Sequence, residues 1–313
     1  MTLPAVSVAM PLYNKEREVL RAVASVQEQT VTTWELLVIN DGSTDRGPDI
    51  VRSLRDPRIR VFDQSNGGVS AARNRGIREA KSDLVAFLDA DDVWNPEFLA
   101  IILDLRTRFP QCAVFGTRYL IRHPNGSSFP ARIRGLPDNM IDGEIPDYFL
   151  VAAQSAPPLW TSAVAVTRQA LEAVGGFPVG ISTGEDLLTW ARLALHYHIA
   201  YTQKICAVFN TSDIVRLPDE PDTVGMALSH LYEANPMKPG LRQYVARWHR
   251  MQLVMFLHTG EKARARTALR KIAGCTGWNL DYLKCIVAVY GPRWLYRLWV
   301  VSRGFLGRIR VCR

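Results

Sequence analysis

Residues 84–92 constrain this chain more than any other stretch. Leu84, Val85, Ala86, Phe87 and Leu88 form a continuous apolar run, and Asp89, Asp91 and Asp92 follow at once. A short run that is apolar at every position predicts a strand covered on both faces, as in a parallel sheet flanked by helices. The carboxyl ends of such strands are where open α/β sheets take their ligands. Carboxylates packed this closely repel unless a cation or hydrogen-bond donors compensate them. A hard divalent cation that also carries a diphosphate answers that need. Alone, D-x-D is equally the product of a solvated strand-to-helix turn, so the surrounding pattern has to decide.

That pattern is an alternation. An apolar run at 6–10 is followed by helical periodicity over 16–29, with Val19, Leu20, Val23 and Val26 on one face. A strand at 36–39 precedes a helix at 48–54, and a shorter strand at 59–62 leads through Gly67-Gly68 into a helix at 69–80. After the 84–88 strand a helix is expected from Asn95-Pro96, with proline at its first position. A strand at 113–121 closes this part. The order argues an α/β fold with a doubly wound, mostly parallel sheet. Residues 122–147, rich in Pro, Gly, Asp and Arg, read as a long loop over one face. Beyond it come a strand at 162–167, helices at 168–174 and 185–198, a polar loop at 213–223, and a helical, basic pattern from Met226 onward.

In a parallel sheet with right-handed crossovers the strand ends converge on one edge. The first strand ends in Pro11-Leu12-Tyr13-Asn14, the second in Asn40-Asp41-Gly42-Ser43-Thr44-Asp45, and the fourth in Asp89-Ala90-Asp91-Asp92. Asp41 could accept a hydrogen bond from a base imide N–H while Tyr13 covers the base face; a plain Asx or glycine turn explains the same residues. Gly67-Gly68 opens a helix carrying Arg73 and Arg75, which suits close backbone approach to an anion. No G-K-[ST] follows, so this is not a Walker loop. Glu185 and Asp186 open a helix on which Leu187, Trp190 and Leu193 read as buried. Acids in a first helical turn commonly serve the dipole, but a carboxylate there can also take a proton from an attacking hydroxyl.

Charge divides the chain. Residues 241–313 hold 15 Lys and Arg against two acids, whereas the rest of the chain is net acidic. Within that basic region, residues 294–310 interleave Trp, Tyr, Leu and Arg as interfacial amphipathic segments do, which predicts contact with an anionic membrane surface. Packing on the preceding domain is the competing reading, notably for 241–272, and no recognised module supports nucleic-acid binding. No apolar stretch reaches the about 18 residues of a spanning helix, and the first residues carry no secretory signal pattern. Five scattered cysteines without C-x-x-C spacing argue against a disulfide framework or a zinc site and fit a reducing cytoplasm.

Taken in order, Met10-Pro11-Leu12-Tyr13-Asn14, Asn40-Asp41-Gly42-Ser43-Thr44-Asp45, Gly68 to Gly76, Asp89 to Asp92, Gly175-Gly176-Phe177 and Gly184-Glu185-Asp186 resemble the motif set of family 2 inverting glycosyltransferases. The match spans roughly 5–215. The resemblance implies a GT-A fold, assigned to 1–225; the helical, basic pattern over 226–313 reads as a C-terminal region that is a candidate for membrane attachment. It further implies a nucleotide-sugar donor, most often UDP-linked, and Mg²⁺ or Mn²⁺. Carried over by position, Asp41 would contact the base and Arg73 the nucleotide. Asp89 would hold the ribose or a metal-bound water, Asp91 would ligate the metal, and Asp186 would be the general base; Pro11, Leu12, Tyr13 and Ala90 complete the donor site.

The implied acceptor is a saccharide or lipid-linked hydroxyl in surface-polysaccharide assembly, reached from the inner face of a membrane. Two features depart from the family. Processive members carry Q-x-x-R-W, whereas Gln243 to Trp248 reads Q-Y-V-A-R-W, and the histidine that many relatives place after the base helix is missing from Phe209-Asn210-Thr211-Ser212-Asp213. Competing readings are an inactive nucleotide-sugar-binding scaffold at the membrane and a sugar nucleotidyltransferase, the latter disfavoured by the absence of a glycine- and lysine-rich triphosphate loop.

Overall fold

The computed structural model describes residues 3–211, 221–277 and 280–292. Most of the 213–223 loop and the aromatic-arginine tail after Pro292 lie outside them.

The first half follows the alternation read from the sequence. Strands β1 (Val6–Leu12), β2 (Trp34–Asp41), β3 (Ile59–Gln64) and β4 (Leu84–Phe87) alternate with helices α1 (Val19–Gln27), α2 (Gly47–Ser53) and α3 (Val69–Glu79). They lie side by side in the order β3-β2-β1-β4, all parallel, with Val8 opposite Leu36 on one side and Ala86 on the other. Every residue of β2 is buried, because side chains of period two feed two cores. Val8, Met10, Leu36 and Val38 face α1 and α2, while Ala9, Leu37 and Ile39 face α3. Each fully buried aliphatic side chain contributes about 1.5–3 kcal/mol, so strands of this kind cannot slip register without reversing both faces. Helix α3 lies hard against β1: a Cβ on Gly76 would sit 2.6 Å from that of Ala9.

The second half completes the sheet with mixed directions. Its elements are β5 (Val93–Trp94), α4 (Phe98–Arg108), β6 (Cys112–Arg122), β7 (Ser128–Pro130), β8 (Asp142–Glu144), α5 (Tyr148–Gln154), β9 (Val164–Thr167), α6 (Arg168–Ala173), α7 (Glu185–His196) and β10 (His198–Asn210). The order continues β4-β9-β6-β10-β5, with β9 antiparallel to both neighbours and β6 parallel to β10. Several details differ from the sequence reading, among them the strand expected over 162–167, which starts only at Val164 after a 3-10 turn at Thr161–Ala163. Helix α4 starts at Phe98 rather than at Pro96, because Asn95 is held by the backbone carbonyls of Cys206 and Ile205 and the Pro96 carbonyl accepts from Thr30 N–H. The long loop contains the short strands β7 and β8. The helix expected over 185–198 ends at His196, and β10 begins two residues later as a long strand interrupted by register shifts.

Helices α8 (Thr223–Ala234), α9 (Leu241–Thr259), α10 (Lys262–Thr276) and α11 (Leu280–Tyr290) follow. Val224, Leu228, Leu241, Tyr244, Val245 and Trp248 belong to the main core. From Leu253 onward α9 packs instead with α10 and α11 around Phe256, Leu269, Ile272 and Cys285. Packing therefore divides inside α9, and the 225/226 division of the sequence reading falls within α8. Among the described residues no helix is long and apolar enough to cross a membrane, and Cys112, Cys206, Cys275 and Cys285 are free thiols.

Candidate active site

The carboxyl ends of β1, β2 and β4 meet on one edge, as parallel pairing requires. The ends of β1 and β2 are stitched together by their own polar groups. Ser43 Oγ donates to the Leu12 carbonyl at 3.3 Å and accepts from the Asn14 amide at 3.2 Å, while Thr44 N–H donates to Asn14 Oδ1 at 2.8 Å. Asn14 holds φ at 51°, a left-handed conformation asparagine tolerates better than most residues. Leu12 is buried and Pro11 half-buried; Tyr13 stands exposed at the rim.

Asp41 is buried, and its carboxylate grips the glycine loop. Oδ1 accepts from Gly67 N–H at 2.9 Å and Gln64 Nε2 at 2.7 Å, and Oδ2 accepts from Gly68 N–H at 2.9 Å. The loop is thereby fixed at the N-terminus of α3, where its backbone and the helix dipole favour an anion. Oδ2 retains acceptor capacity for a further donor such as a base imide.

Arg73, one turn into α3, is buried and charged. Nη2 donates to Asp89 Oδ1 at 2.8 Å and Nη1 to Glu185 Oε1 at 2.8 Å, with Cζ 5.1 Å from the Phe177 ring centroid. Burial works against its charge, but the flanking carboxylates outweigh it and hold the guanidinium above its usual range. The sequence reading aimed Arg73 at the nucleotide. In the structure its guanidinium joins the end of β4 to the start of α7, with Nε buried and without a hydrogen-bond partner among the described residues.

The three aspartates after β4 occupy different environments. Asp89 is turned to Arg73, and its N–H donates to Ser162 Oγ at 3.1 Å; Ala90 beside it is buried. Asp92 is buried, accepting from Asn210 N–H at 2.9 Å. Burial, then the charges of Asp89 and Asp91, push its carboxyl well above the usual range. Asp91, like Asp89, is partly exposed, and Lys15 Nζ lies 2.6 Å from its Oδ2. The Asp91 carbonyl accepts from Asn210 Nδ2 at 2.7 Å. Among the described residues no cluster of three or more His, Cys, Asp or Glu could cage a metal ion. A partly exposed carboxylate balanced by a single lysine suits Mg²⁺ or Mn²⁺ nonetheless, since such ions are commonly bound by one or two carboxylates plus water and substrate phosphates.

Across the edge, α7 opens on Gly184, whose φ of 83° places Glu185 and Asp186 in its first turn. Glu185 is committed to Arg73. Asp186 accepts from Leu187 N–H at 2.7 Å and, more weakly, from Thr161 Oγ1 at 3.4 Å. Burial first, and then the Glu185 charge, lift its carboxyl to about 7, with the Arg73 charge pulling the other way. Helix α9 buttresses this turn: Tyr244 Oη donates to the Leu187 carbonyl at 2.9 Å, and a Cβ on Gly184 would meet the Trp248 ring at 2.5 Å. Trp248 is itself fixed by donating Nε1–H to Asp222 at 3.0 Å. A small cavity beside the turn is lined by Pro157, Leu187, Tyr244, Arg247 and Trp248. The Q-Y-V-A-R-W segment thus supports the acidic turn of α7.

Asp41, Asp89 and Asp91 share the strand-end edge, and Arg73 ties Asp89 to Glu185 on the turn carrying Asp186. The sequence reading missed Lys15, Ser162 and Asn210. Lys15 had a signal, since it directly follows the polar end of β1; Asn210 had none, because β10 was not recognised.

Fold and site define an open α/β domain of the nucleotide-binding type, with an acidic strand-end edge faced by the Glu185-Asp186 turn. The sequence profile described as Glycosyl transferase family 2 matches residues 7–171, more than half of the chain, and the chain belongs to that family. "Uncharacterized glycosyltransferase YibD" of Escherichia coli is 40% identical over 101 residues, covering 32% of this chain and 29% of that protein. "Putative glycosyltransferase EpsH" of Bacillus subtilis is 38% identical over 100 residues, covering 31% and 29%. The chain thus spans under a third of the length of these relatives. In fold it is similar to S. aureus TarS 1-349, with a TM-score of 0.66 at 20% identity over 97% of this chain and 93% of that one. It is also similar to the mannosyltransferase PcManGT of Pyrobaculum calidifontis, in complex with GDP-Man and Mn²⁺, with a TM-score of 0.59 at 20% identity over 97% and 85%. These likenesses identify the fold as GT-A.

Proposed function

We propose that this chain is a metal-dependent inverting glycosyltransferase that moves a sugar from a nucleotide-sugar donor, UDP-linked, to a hydroxyl of a saccharide or lipid-linked acceptor. The observation that carries the reading is the division of labour between Glu185 and Asp186: Arg73 neutralises the first and leaves the second as a carboxylate with a raised pKa. Two neighbours of like fold were obtained with UDP-GlcNAc and with GDP-Man and Mn²⁺, which supports donor binding.

Asp41 and the glycine loop receive the nucleoside, with Tyr13 over the base and Pro11, Leu12, Asp89 and Ala90 shaping the strand-end floor. Asp91 would hold Mg²⁺ or Mn²⁺, which would supply Lewis-acid neutralisation of the diphosphate leaving group. Lys15 balances Asp91 before the donor arrives. Asp186 accepts the proton of the acceptor hydroxyl as its oxygen bonds to the anomeric carbon from the face opposite the nucleotide; the bond from that carbon to the diphosphate breaks, inverting the centre. The basic C-terminal region brings the domain to the inner face of a membrane, where a lipid-linked acceptor of polysaccharide assembly would lie.

Asp186→Asn tests the assignment of the base. It should bind UDP as the wild type does and lose about 10²–10⁴-fold in transfer. Near-normal turnover in this variant would place the base elsewhere.

A further inference from the structure

Helix α11 is apolar on two opposite sides. One side, with Cys285 and Ala288 buried, faces the small core shared with α9 and α10. The other carries Leu280, Leu283, Val287 and Tyr290, which are 75%, 45%, 46% and 63% exposed. Their spacing of three, four and three residues puts them in one stripe along the helix. Asp281 and Lys284 pair at 3.6 Å on one flank, but four contiguous large apolar residues in water call for a partner.

The neighbouring surface shows what kind of partner. On α10, Lys262, Arg266 and Arg270 recur every fourth residue and are exposed, so they form a basic row. Arg266 leans toward the stripe, its Cζ 5.6 Å from the Tyr290 ring centroid. Basic row and apolar stripe are thus parts of one surface. A second copy seated here would bring two such rows together inside a region with 15 Lys and Arg against two acids, and like charges across an interface are repulsive. A surface that is negative outside and apolar just beneath fits both parts. Tyrosine at the end of the stripe suits the headgroup level, where its ring is apolar and its hydroxyl wet.

We propose that the outer surface of α10 and α11 is the face by which this chain rests on an anionic lipid bilayer, with the stripe entering the acyl boundary and the basic row lying against the headgroups. The inference rests on the reading of the chain as peripheral to a membrane, and adds to it a folded docking face. It would hold α9, and through α9 the Asp186 turn, at a set height above the lipid.

The experiment is co-sedimentation of the full chain with phosphatidylcholine vesicles, with and without phosphatidylglycerol. Three variants are compared with the wild type: L283S/V287S, K262Q/R266Q/R270Q, and the tail variant W294S/W299S. The expected result is binding of the wild type to anionic vesicles only. L283S/V287S and K262Q/R266Q/R270Q should each weaken it by roughly tenfold or more with UDP affinity unchanged. If those two bind like the wild type while W294S/W299S is released, the docking face is refuted and membrane association survives through the tail. If the wild type binds neither vesicle, the peripheral reading itself fails and the docking face with it. If L283S/V287S instead turns a wild-type dimer into a monomer in light scattering and leaves vesicle binding unchanged, the stripe covers a second copy and the proposal is wrong.

Discussion

Arg73→Met keeps the length of the side chain and removes the guanidinium from between Asp89 and Glu185, each 2.8 Å away. Glu185 is buried, so its charge is left uncompensated in a poorly solvated place. Removing one partner of a buried ion pair costs about 3–5 kcal/mol. Asp89 keeps a quarter of its side chain in water, so solvent recovers much of that half and the Glu185 half dominates. Loss of the contact with Phe177 adds about 0.5 kcal/mol. A total near 4 kcal/mol corresponds to a fall in Tm of roughly 10 °C for a domain of this size. Arg73→Met/Glu185→Gln should recover about half of the loss, since no orphaned charge remains. The same change should reach the chemistry, because the Arg73 charge holds the Asp186 carboxyl down. The acid limb of kcat/KM should therefore move to higher pH in Arg73→Met. Scanning calorimetry and a pH–rate profile read both effects. A Tm within 2 °C of wild type, roughly the width of 1 kcal/mol, with an unmoved acid limb, would refute the argument that Arg73 is the link between the two carboxylates.

Other expectations follow from the same geometry. Asp186 acts only when ionised and its carboxyl is lifted to about 7, so kcat/KM should fall tenfold per unit below that pH and level off above it; a rate flat down to pH 5 would contradict the assignment. A carboxyl raised by folding stabilises the fold below its unfolded value near 4 and loses that contribution as pH rises toward 7, so Asp186→Asn should melt above wild type at pH 8 in a thermal scan. Gly184→Ala forces a side chain onto φ 83° and against the Trp248 ring, costing about 2–4 kcal/mol in strain and overpacking; transfer should drop with UDP affinity kept, and equal loss of both would show that the turn has no separate role.

What the sequence discloses and what it hides have physical causes. β1, β2 and β4 are legible because parallel strands buried on both faces are apolar runs that end abruptly, and Asp41, Asp89 and Asp91 come with them as the residues at those ends. β10 is not legible: Thr202-Gln203-Lys204 interrupts its apolar pattern where the register shifts, and the helix before it shares its polarity. The start of α4 was displaced by a proline that serves the turn rather than the helix. The carboxylate partners of Arg73 could not be read, since they lie 16 and 112 residues away and nothing local points to either. Lys15 shows the same limit, its partner Asp91 being 76 residues distant. Spacing locates a residue on an edge; only packing decides which way its charge is spent.

The most direct test of the account is calorimetric titration of UDP into wild type and Asp91→Ala, each with and without Mn²⁺. Asp91 is the aspartate left facing outward after Arg73 has engaged Asp89 and burial has claimed Asp92. The account predicts wild-type binding that tightens on adding Mn²⁺, and an Asp91→Ala variant that stays folded, since a partly exposed ion pair contributes only about 1 kcal/mol or less, but no longer responds to the metal. Identical Mn²⁺-dependent affinity in the two proteins, or wild-type binding indifferent to Mn²⁺, would contradict it.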